Sequence, residues 1–301
     1  MSVTVVRPGM LTTVQDRGRH GFQHVGVPVA GPMDWWSHDA ANRLAGNDSG
    51  CATLEVTLIG PELELGRSAI AAVVGAHFEL TVSGRAVPMN QAFAVAAGAR
   101  LSLGARSFGA RAYLALDGGF DVPMTMGSRA THVRARLGGH EGRALQRGDV
   151  IALGPSQAPV PGAGVAVPSH ARVAPPATLR AIAGPDTPPA AFWDAVFTIS
   201  PQSDRMGYRL DGPAIGAAGD HLSSGVAMGT VQVTPSGTCV LLMADRATSG
   251  GYARAATVIT ADLPLAGQLA PGDTLRFTRI TPAAARAAAA TVHSLLPPRQ
   301  S

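Results

Sequence analysis

Apolar residues fall in short blocks along this chain, and most blocks stop at Gly, Pro or Asp. Residues 52–59 alternate apolar and polar positions and meet Gly60-Pro61. Residues 68–74 form an apolar run that ends at Gly75, and residues 78–82 alternate before Ser83-Gly84. Residues 111–116 alternate and meet Asp117-Gly118-Gly119, and similar blocks follow at 229–233, 239–243, 256–260 and 274–278. A period of two over so few residues, closed by turn formers, predicts short strands in antiparallel sheets that close into barrels or sandwiches. Helical spacing is rarer. It appears at 33–44, with Asp34 or Ser37 as cap, at 189–196, and from Thr281-Pro282 into an alanine-rich run before Pro297-Pro298. Thr followed by Pro suits a helix start, and a Pro pair stops one.

Two halves follow from the punctuation. Residues 155–176 are rich in Pro, Ala, Gly and Val and read as a linker. They divide a first domain, 1–154, from a second, 177–280, and the C-terminal helix and tail occupy 281–301. A faint echo relates the halves: Gln15-Asp16-Arg17-Gly18 resembles Ser203-Asp204-Arg205-Met206, and Arg147-Gly148-Asp149 resembles Pro271-Gly272-Asp273. The alternative is coincidence between glycine-rich turns.

Composition narrows the chemistry. The 301 residues are 46% hydrophobic, enough for a substantial core, with Gly 36 and Pro 23 supplying turns. Every one of the basic residues is arginine, and no lysine occurs. A Walker A loop, a Schiff base and a biotinyl-lysine each need that lysine, so another polypeptide must supply any such part. The net charge of +4 is spread along the chain with few aromatics, unlike the basic face of a nucleic-acid binder. Cys51 and Cys239 form no Cys-x-x-Cys motif and read as buried thiols. The N-terminus shows no secretory pattern and no apolar run reaches membrane-spanning length, so the chain reads as cytoplasmic.

Candidate chemistry concentrates in three glycine-punctuated segments with Asp-Arg pairs: residues 8–19, 203–210 and 244–252. Arg205, Arg209 and Arg246 are candidate anion clamps, because a guanidinium fork matches carboxylate and phosphate alike. The alternative is that each pairs with its neighbouring Asp and pins a turn. Asp34, Asp204 and Asp245 are candidate bases or cation ligands, or else turn and cap residues. Glu55 sits inside an apolar strand pattern, where it is either exposed at an edge or a buried functional carboxylate. Asn42, Asn47 and Gln232 carry amides able to read an amide substrate. His20 and His24 are four apart, but Gly21 and Gly26 argue against a helix and hence against a zinc pair there.

These segments, in order, resemble the biotin-dependent carboxyltransferase family, which includes the C-type subunits of 5-oxoprolinase and allophanate hydrolase subunit 2-like proteins. The resemblance runs from about Val3 to Phe277. It rests on residues 8–19, Gly26-Val27-Pro28, Gly31-Pro32-Met33-Asp34, residues 41–47 and 54–57, Gly127-Ser128-Arg129 and residues 138–143. The Asp204 and Asp245 segments, Gln232-Val233 and residues 261–264 extend it through the second half. It departs from the family pattern at Ala247-Thr248-Ser249, at Thr234 and at Arg254, where lysine is usual.

The resemblance implies a mainly β fold of two cyclophilin-like β-barrel domains with a few short helices and a C-terminal helix. It implies the C-type part of a bacterial ATP-dependent 5-oxoprolinase, working with A-type and B-type partner proteins on a lactam or related amide. ATP would bind together with those partners, with Mg as its companion cation, and no biotin would be attached to this chain. On that reading Asp34, Glu55 and Asp245 are the catalytic candidates, and Asn42, Asn47, Arg205, Arg209, Gln232, Arg246, Thr248 and Tyr252 the substrate-binding ones, with no metal ligands. Two alternatives remain: a carboxyltransferase acting on a urea-like amide, and a non-catalytic regulatory partner of the B-type protein.

Overall fold

The computed structural model describes residues 1–156, 171–216 and 221–297. Most of the expected linker, residues 157–170, lies outside the described residues. The chain divides into two compact units. The first comprises Met1–Arg19, Asp34–Arg172 and Leu295–Ser301, and the second comprises His20–Met33 and Val173–Ser294.

In the first unit the strands are β1 (Ser2–Arg7), β2 (Leu11–Gln15), β3 (Thr53–Thr57), β4 (Glu62–Leu65), β5 (Ala69–Val82), β6 (Arg85–Ala86), β7 (Ala92–Val95), β8 (Arg100–Leu116) and β9 (Val150–Ala152). They form one nine-stranded sheet, ordered β2-β3-β8-β4-β1-β9, with β5 to β7 branching from it. Its curl comes from two long strands. β8 pairs β4 through residues 100–102 and β3 through residues 111–114, so one strand serves both parts of the sheet. β5 accompanies it and changes register at Gly75/His77, His77/Phe78 and Phe78/Leu80. The shifts add two residues, then one, then one to the β8 side and increase the local twist, which bends the sheet around its core. The sequence pattern breaks this strand at Gly75; the glycine, at φ 115°, marks an irregularity within a continuous strand instead. The core packs Val3, Leu54, Val56, Leu63, Phe78, Leu103 and Leu114 inside the curl.

Among the described residues of this unit the one long helix is α1 (Trp35–Leu44), which starts where the sequence places it. Asp34 is its N-cap, and its carboxylate accepts a hydrogen bond from Ser37 N at 2.9 Å.

The second unit is a closed barrel. Its strands are β10 (Ala177–Ala183), β11 (Phe197–Ile199), β12 (Gly207–Asp211), β14 (Thr230–Val233), β15 (Cys239–Leu242), β17 (Ala253–Val258) and β18 (Thr274–Arg279), ordered β10-β17-β14-β15-β12-β11-β18. A parallel pairing of β10 with β18 closes the ring. The short strands β13 (Ser224–Gly225) and β16 (Ser249–Gly250) form a separate ladder. Leu179, Val231, Leu241, Leu275 and Phe277 are fully or almost fully buried. Helix α2 (Ala190–Asp194) brings Phe192 flat against Phe277, with ring centroids 5.1 Å apart.

Two further helices complete this unit, α3 (Leu263–Gly267) and α4 (Pro282–Ser294). The alanine-rich α4 docks through Ala285 against Ile259 and Ala261. Its start is held by Thr281, whose hydroxyl accepts from Ala284 N at 3.3 Å. The chain is thus mainly β with few short helices, as its sequence implies; one unit closes as a barrel and the other is a curled sheet.

Candidate functional site

In the first unit, strand alternation sorts β3 into two faces. Leu54 and Val56 enter the apolar core, while Thr53, Glu55 and Thr57 point the other way. Helix α1 packs on β3, β5 and β8. It carries Asp34, His38 and Asn42 at spacings of four, which places them in a row along one stripe. A polar helix stripe and a polar strand face are buried together, and each polar atom needs a partner there.

Those partners connect into a network. Glu55 lies directly across from Tyr113 in the β3–β8 pairing, and the Tyr113 hydroxyl donates to Glu55 Oε2 at 2.7 Å. The same hydroxyl accepts from Asp34 N at 2.8 Å. Asp34 Oδ2 accepts from Ser37 Oγ at 2.7 Å. His38 Nδ1 stands 2.9 Å from Thr53 Oγ1, and its ring meets Tyr113 edge-on. Burial pushes the Tyr113 pKa well above the phenol range, and the Glu55 and Asp34 carboxylates push it further. Burial also lowers the pKa of His38, with Asp39 opposing, so the imidazole is neutral at pH 7. The network therefore holds a proton firmly on Tyr113, aimed at Glu55. Glu55 is not exposed at a sheet edge: it is buried, 1% exposed.

Asn42 and Asn47 serve the same unit's backbone. Asn42 Nδ2 donates to Cys51 O at 2.9 Å, and its Oδ1 accepts from Asn47 Nδ2 at 3.0 Å. Asn47 also donates to Leu116 O and accepts from Gly118 N, each at 2.8 Å. The two amides tie the end of α1 to the turn after β8.

The Asp-Arg pairs interlock rather than close on themselves. Asp16 accepts from Gly18 N, Ser128 Oγ and Arg129 N, while Arg17 reaches Asp39 at 2.5 Å. In the second unit Asp204 caps its own turn, accepting from Met206 N at 2.7 Å. Arg205 instead spans 40 residues to Asp245, with Nε and Nη2 each 3.0 Å from a carboxylate oxygen. Its Nη2 also donates to Gly31 O at 2.6 Å. The second and third segments are thus joined by one buried bidentate pair, a geometry only arginine provides.

That pair sets the base of the 245–252 loop. Arg246 donates from Nε to Val226 O at 3.2 Å, and burial lowers its pKa, partly offset by Asp245. Val226 N donates to Thr248 O at 3.2 Å, and the β13–β16 ladder continues the contact at Ser224 and Gly250. A Cβ at Gly250 would press on the side-chain amide of Gln232, which would have to shift. Gln232 is 5% exposed, and its Nε2 is buried without a hydrogen-bond partner among the described residues. Tyr252 is exposed at the loop's end, and Arg209 is exposed on β12.

The structure groups Asp34, Glu55, Asn42 and Asn47 in the first unit, and Arg205, Gln232, Asp245, Arg246, Thr248 and Tyr252 around one loop of the second. Sequence reasoning missed Tyr113, which lies 58 residues from Glu55 and is brought to it only by strand register. It also missed Asp186 and His221 of the second unit, whose side chains stand 3.5 Å apart. Among the described residues no group of three or more His, Cys, Asp or Glu side chains is arranged to hold a metal ion. Around His24 the chain forms a 3-10 turn, Gln23–Val25, rather than an α-helix.

Comparison with known proteins places these features in a family. The sequence profile described as carboxyltransferase domain, subdomain A and B, matches residues 25–279. The chain is 37% identical over 284 residues to the C subunit of 5-oxoprolinase from Escherichia coli strain K12, covering 91% of this chain and 90% of that protein. It is 33% identical to urea amidolyase of Lachancea kluyveri, covering 94% of this chain but 17% of that protein. The crystal structure of the K. lactis urea amidolyase superposes with a TM-score of 0.88 at 30% identity, over 100% of this chain and 20% of that one. The chain therefore belongs to the carboxyltransferase domain family, subdomain A and B.

Proposed function

We propose that this chain is the C-type component of a bacterial ATP-dependent 5-oxoprolinase, opening the 5-oxoproline lactam to glutamate with A-type and B-type partners in the cytoplasm. Coverage carries the reading. The match to the C subunit of E. coli 5-oxoprolinase spans nine-tenths of both proteins, whereas the urea amidolyases contain this chain as a fraction of their length. The carboxyltransferase alternative would need a biotin carrier from another chain, because this one has no lysine.

A lactam amide is resonance-stabilised and its ring nearly unstrained, so opening it calls for activation by ATP. The Arg205 fork already engages Asp245 and Gly31 O. Nucleotide, with Mg, is accordingly assigned to the assembled complex. What this chain contributes is positioning and proton control. Glu55 and Tyr113 hold a proton at a fixed place. Asp34 fixes the start of α1 and Asp245 the base of the loop. Arg246, Thr248 and Tyr252 form the substrate-facing loop, with Gln232 of β14 beside it and Asn42 and Asn47 supporting the first unit.

The test is co-expression with candidate A-type and B-type proteins, followed by ATPase and glutamate assays with and without 5-oxoproline. Glutamate formation that requires all chains together is the expected result, with Glu55→Gln lowering kcat in a complex that still assembles. Transfer from a carboxylated biotin carrier to a small amide, without lactam opening, would replace this reading with the carboxyltransferase one.

A further inference from the structure

The 245–252 loop is fastened differently from the strands around it. Its ends are fixed: Asp245 is held by the Arg205 fork, and Ala253 is buried on β17. Between them no residue of 246–252 is buried, and none is buried in the facing stretch, 221–228. The large apolar side chains of the two stretches point outward, with Leu222 94% and Tyr252 47% exposed. The loop is tied to that stretch by the two residue pairs of the β13–β16 ladder, by Val226 N to Thr248 O at 3.2 Å, and by Arg246 Nε to Val226 O at 3.2 Å. Both of these bonds are at the long end of the N–H···O range. A segment with exposed backbone bonds and no buried apolar contact opens at far lower cost than a packed strand.

The closed loop also covers an unpaired group. Gly250 lies against the side-chain amide of Gln232, where an added Cβ would press on Nε2. In that position Gln232 Nε2 is shut off from solvent and has no hydrogen-bond partner among the described residues. A buried donor without an acceptor is costly, and the cost ends once water reaches it. Closure is thus opposed by the group it covers.

We propose that the 246–252 loop is a lid that opens at β13, and that the buried amide of Gln232 keeps its closure shallow. Opening separates β16 from β13 and brings water to Gln232 Nε2. That the lid admits substrate rests on the function proposed above; the opening itself does not.

Hydrogen exchange of the full chain, followed by NMR, reads the lid at the Val226 backbone amide and at the Gln232 side-chain amide. In unaltered protein both should exchange many-fold faster than the backbone amides of β15 in the barrel wall. Gln232→Met keeps a side chain of similar length without a polar end, and should slow exchange at Val226 about tenfold, the effect of one buried donor no longer unpaired. Gly250→Ala should speed it, because the new methyl group presses on the amide. Gly250 lies outside the positive-φ region, so alanine adds no backbone strain there.

A glutamine that merely props the fold predicts the reverse for Gln232→Met, faster exchange and a lower urea midpoint. That reversal overturns the lid, and so does exchange of both amides in unaltered protein no faster than β15. The second result needs no variant, so it stands even where a substitution misfolds. Turnover by the three-part complex separates the two claims. A rarer open state raises KM for 5-oxoproline about tenfold in Gln232→Met and lowers it in Gly250→Ala, with smaller changes in kcat. Unchanged KM in Gln232→Met with slowed exchange refutes the lid's part in access and leaves the oxoprolinase reading intact. Opposite exchange shifts in the two variants, without turnover by the assembled complex, keep the lid and refute that reading.

Discussion

The two units of this protein solve the same problem with different materials. The closed barrel is held by apolar packing: Leu179, Leu241, Leu275 and Phe277 fill its interior, and ion pairs such as Arg205–Asp245 and Arg180–Asp262 tie its loops and strands. The curled sheet has no such closure, and most of the buried polar and charged side chains among the described residues belong to its unit. A closed ring satisfies its backbone by construction, so its side chains are free to be apolar. An open sheet with a helix on one face must fix its turns otherwise, and here it does so with buried carboxylates, guanidiniums and amides. Such groups are weak sources of net stability but are sensitive to loss of a partner.

The largest expected effect follows from that asymmetry. Arg67 and Asp117 are almost fully buried and paired at 3.0 Å, joining the start of β5 to the turn after β8. Asp117 also accepts from Ile70 N at 2.9 Å. Arg67→Met strands a buried carboxylate and should cost about 3–5 kcal/mol, read from urea denaturation. A loss below about 1 kcal/mol, the range of exposed pairs, would remove the distinction between the units.

The barrel's counterpart is Leu275→Ala. This fully buried side chain pairs across to β10 and β11, and its truncation should cost about 2–5 kcal/mol through lost burial and a cavity. If the barrel is packed as described, differential scanning calorimetry will show a lowered transition. An unmoved transition would mean that its interior is loose.

Tyr113→Phe sharpens the comparison at the candidate site. The substitution keeps the ring but removes the donor to Glu55 and the acceptor for Asp34 N. Leaving buried polar groups short of a partner costs about 1–3 kcal/mol. Activity of the assembled complex should fall by more than this destabilisation explains, since Glu55 loses its fixed proton. Unaltered kcat with lowered stability would make the network purely structural.

How much of this is readable from the sequence depends on the distance between partners. Asp34 as a cap and α1 itself follow from a local pattern, and so does β3, with Glu55 conspicuous in an apolar alternation. The partners do not. Tyr113 reads as one more apolar position in a strand, and Arg67 and Asp117, 50 residues apart, read as turn residues. Arg205 is legible as a special arginine, yet nothing local shows that it serves Asp245 rather than its neighbour Asp204. The length of β5 is hidden because Gly75 reads as a stop, whereas a bulge beside a long partner strand carries the ladder past it. His221 and Asp186 are unremarkable alone, and only the barrel's closure sets them together.

The smallest expected effect concerns pH. Asp149 accepts from both nitrogens of the Arg143 fork, at 2.7 and 2.9 Å, and from Gln146 N at 2.7 Å. The Arg143 hydrogen bonds hold its pKa down at about 2, against an ordinary 3.8, with burial opposing. A folded pKa below the unfolded one means that the contribution is present in full above the unfolded value and fades as pH falls toward the folded one. Partial exposure of the pair screens it, so the contribution should be about 1 kcal/mol or less. Urea midpoints of the protein and of Asp149→Asn, measured between about pH 2 and 5, should converge as the acid is protonated. Parallel curves across that window would show that this pair does not share the character of the unit's buried pins, and that the polar scaffold of the curled sheet stops short of its rim.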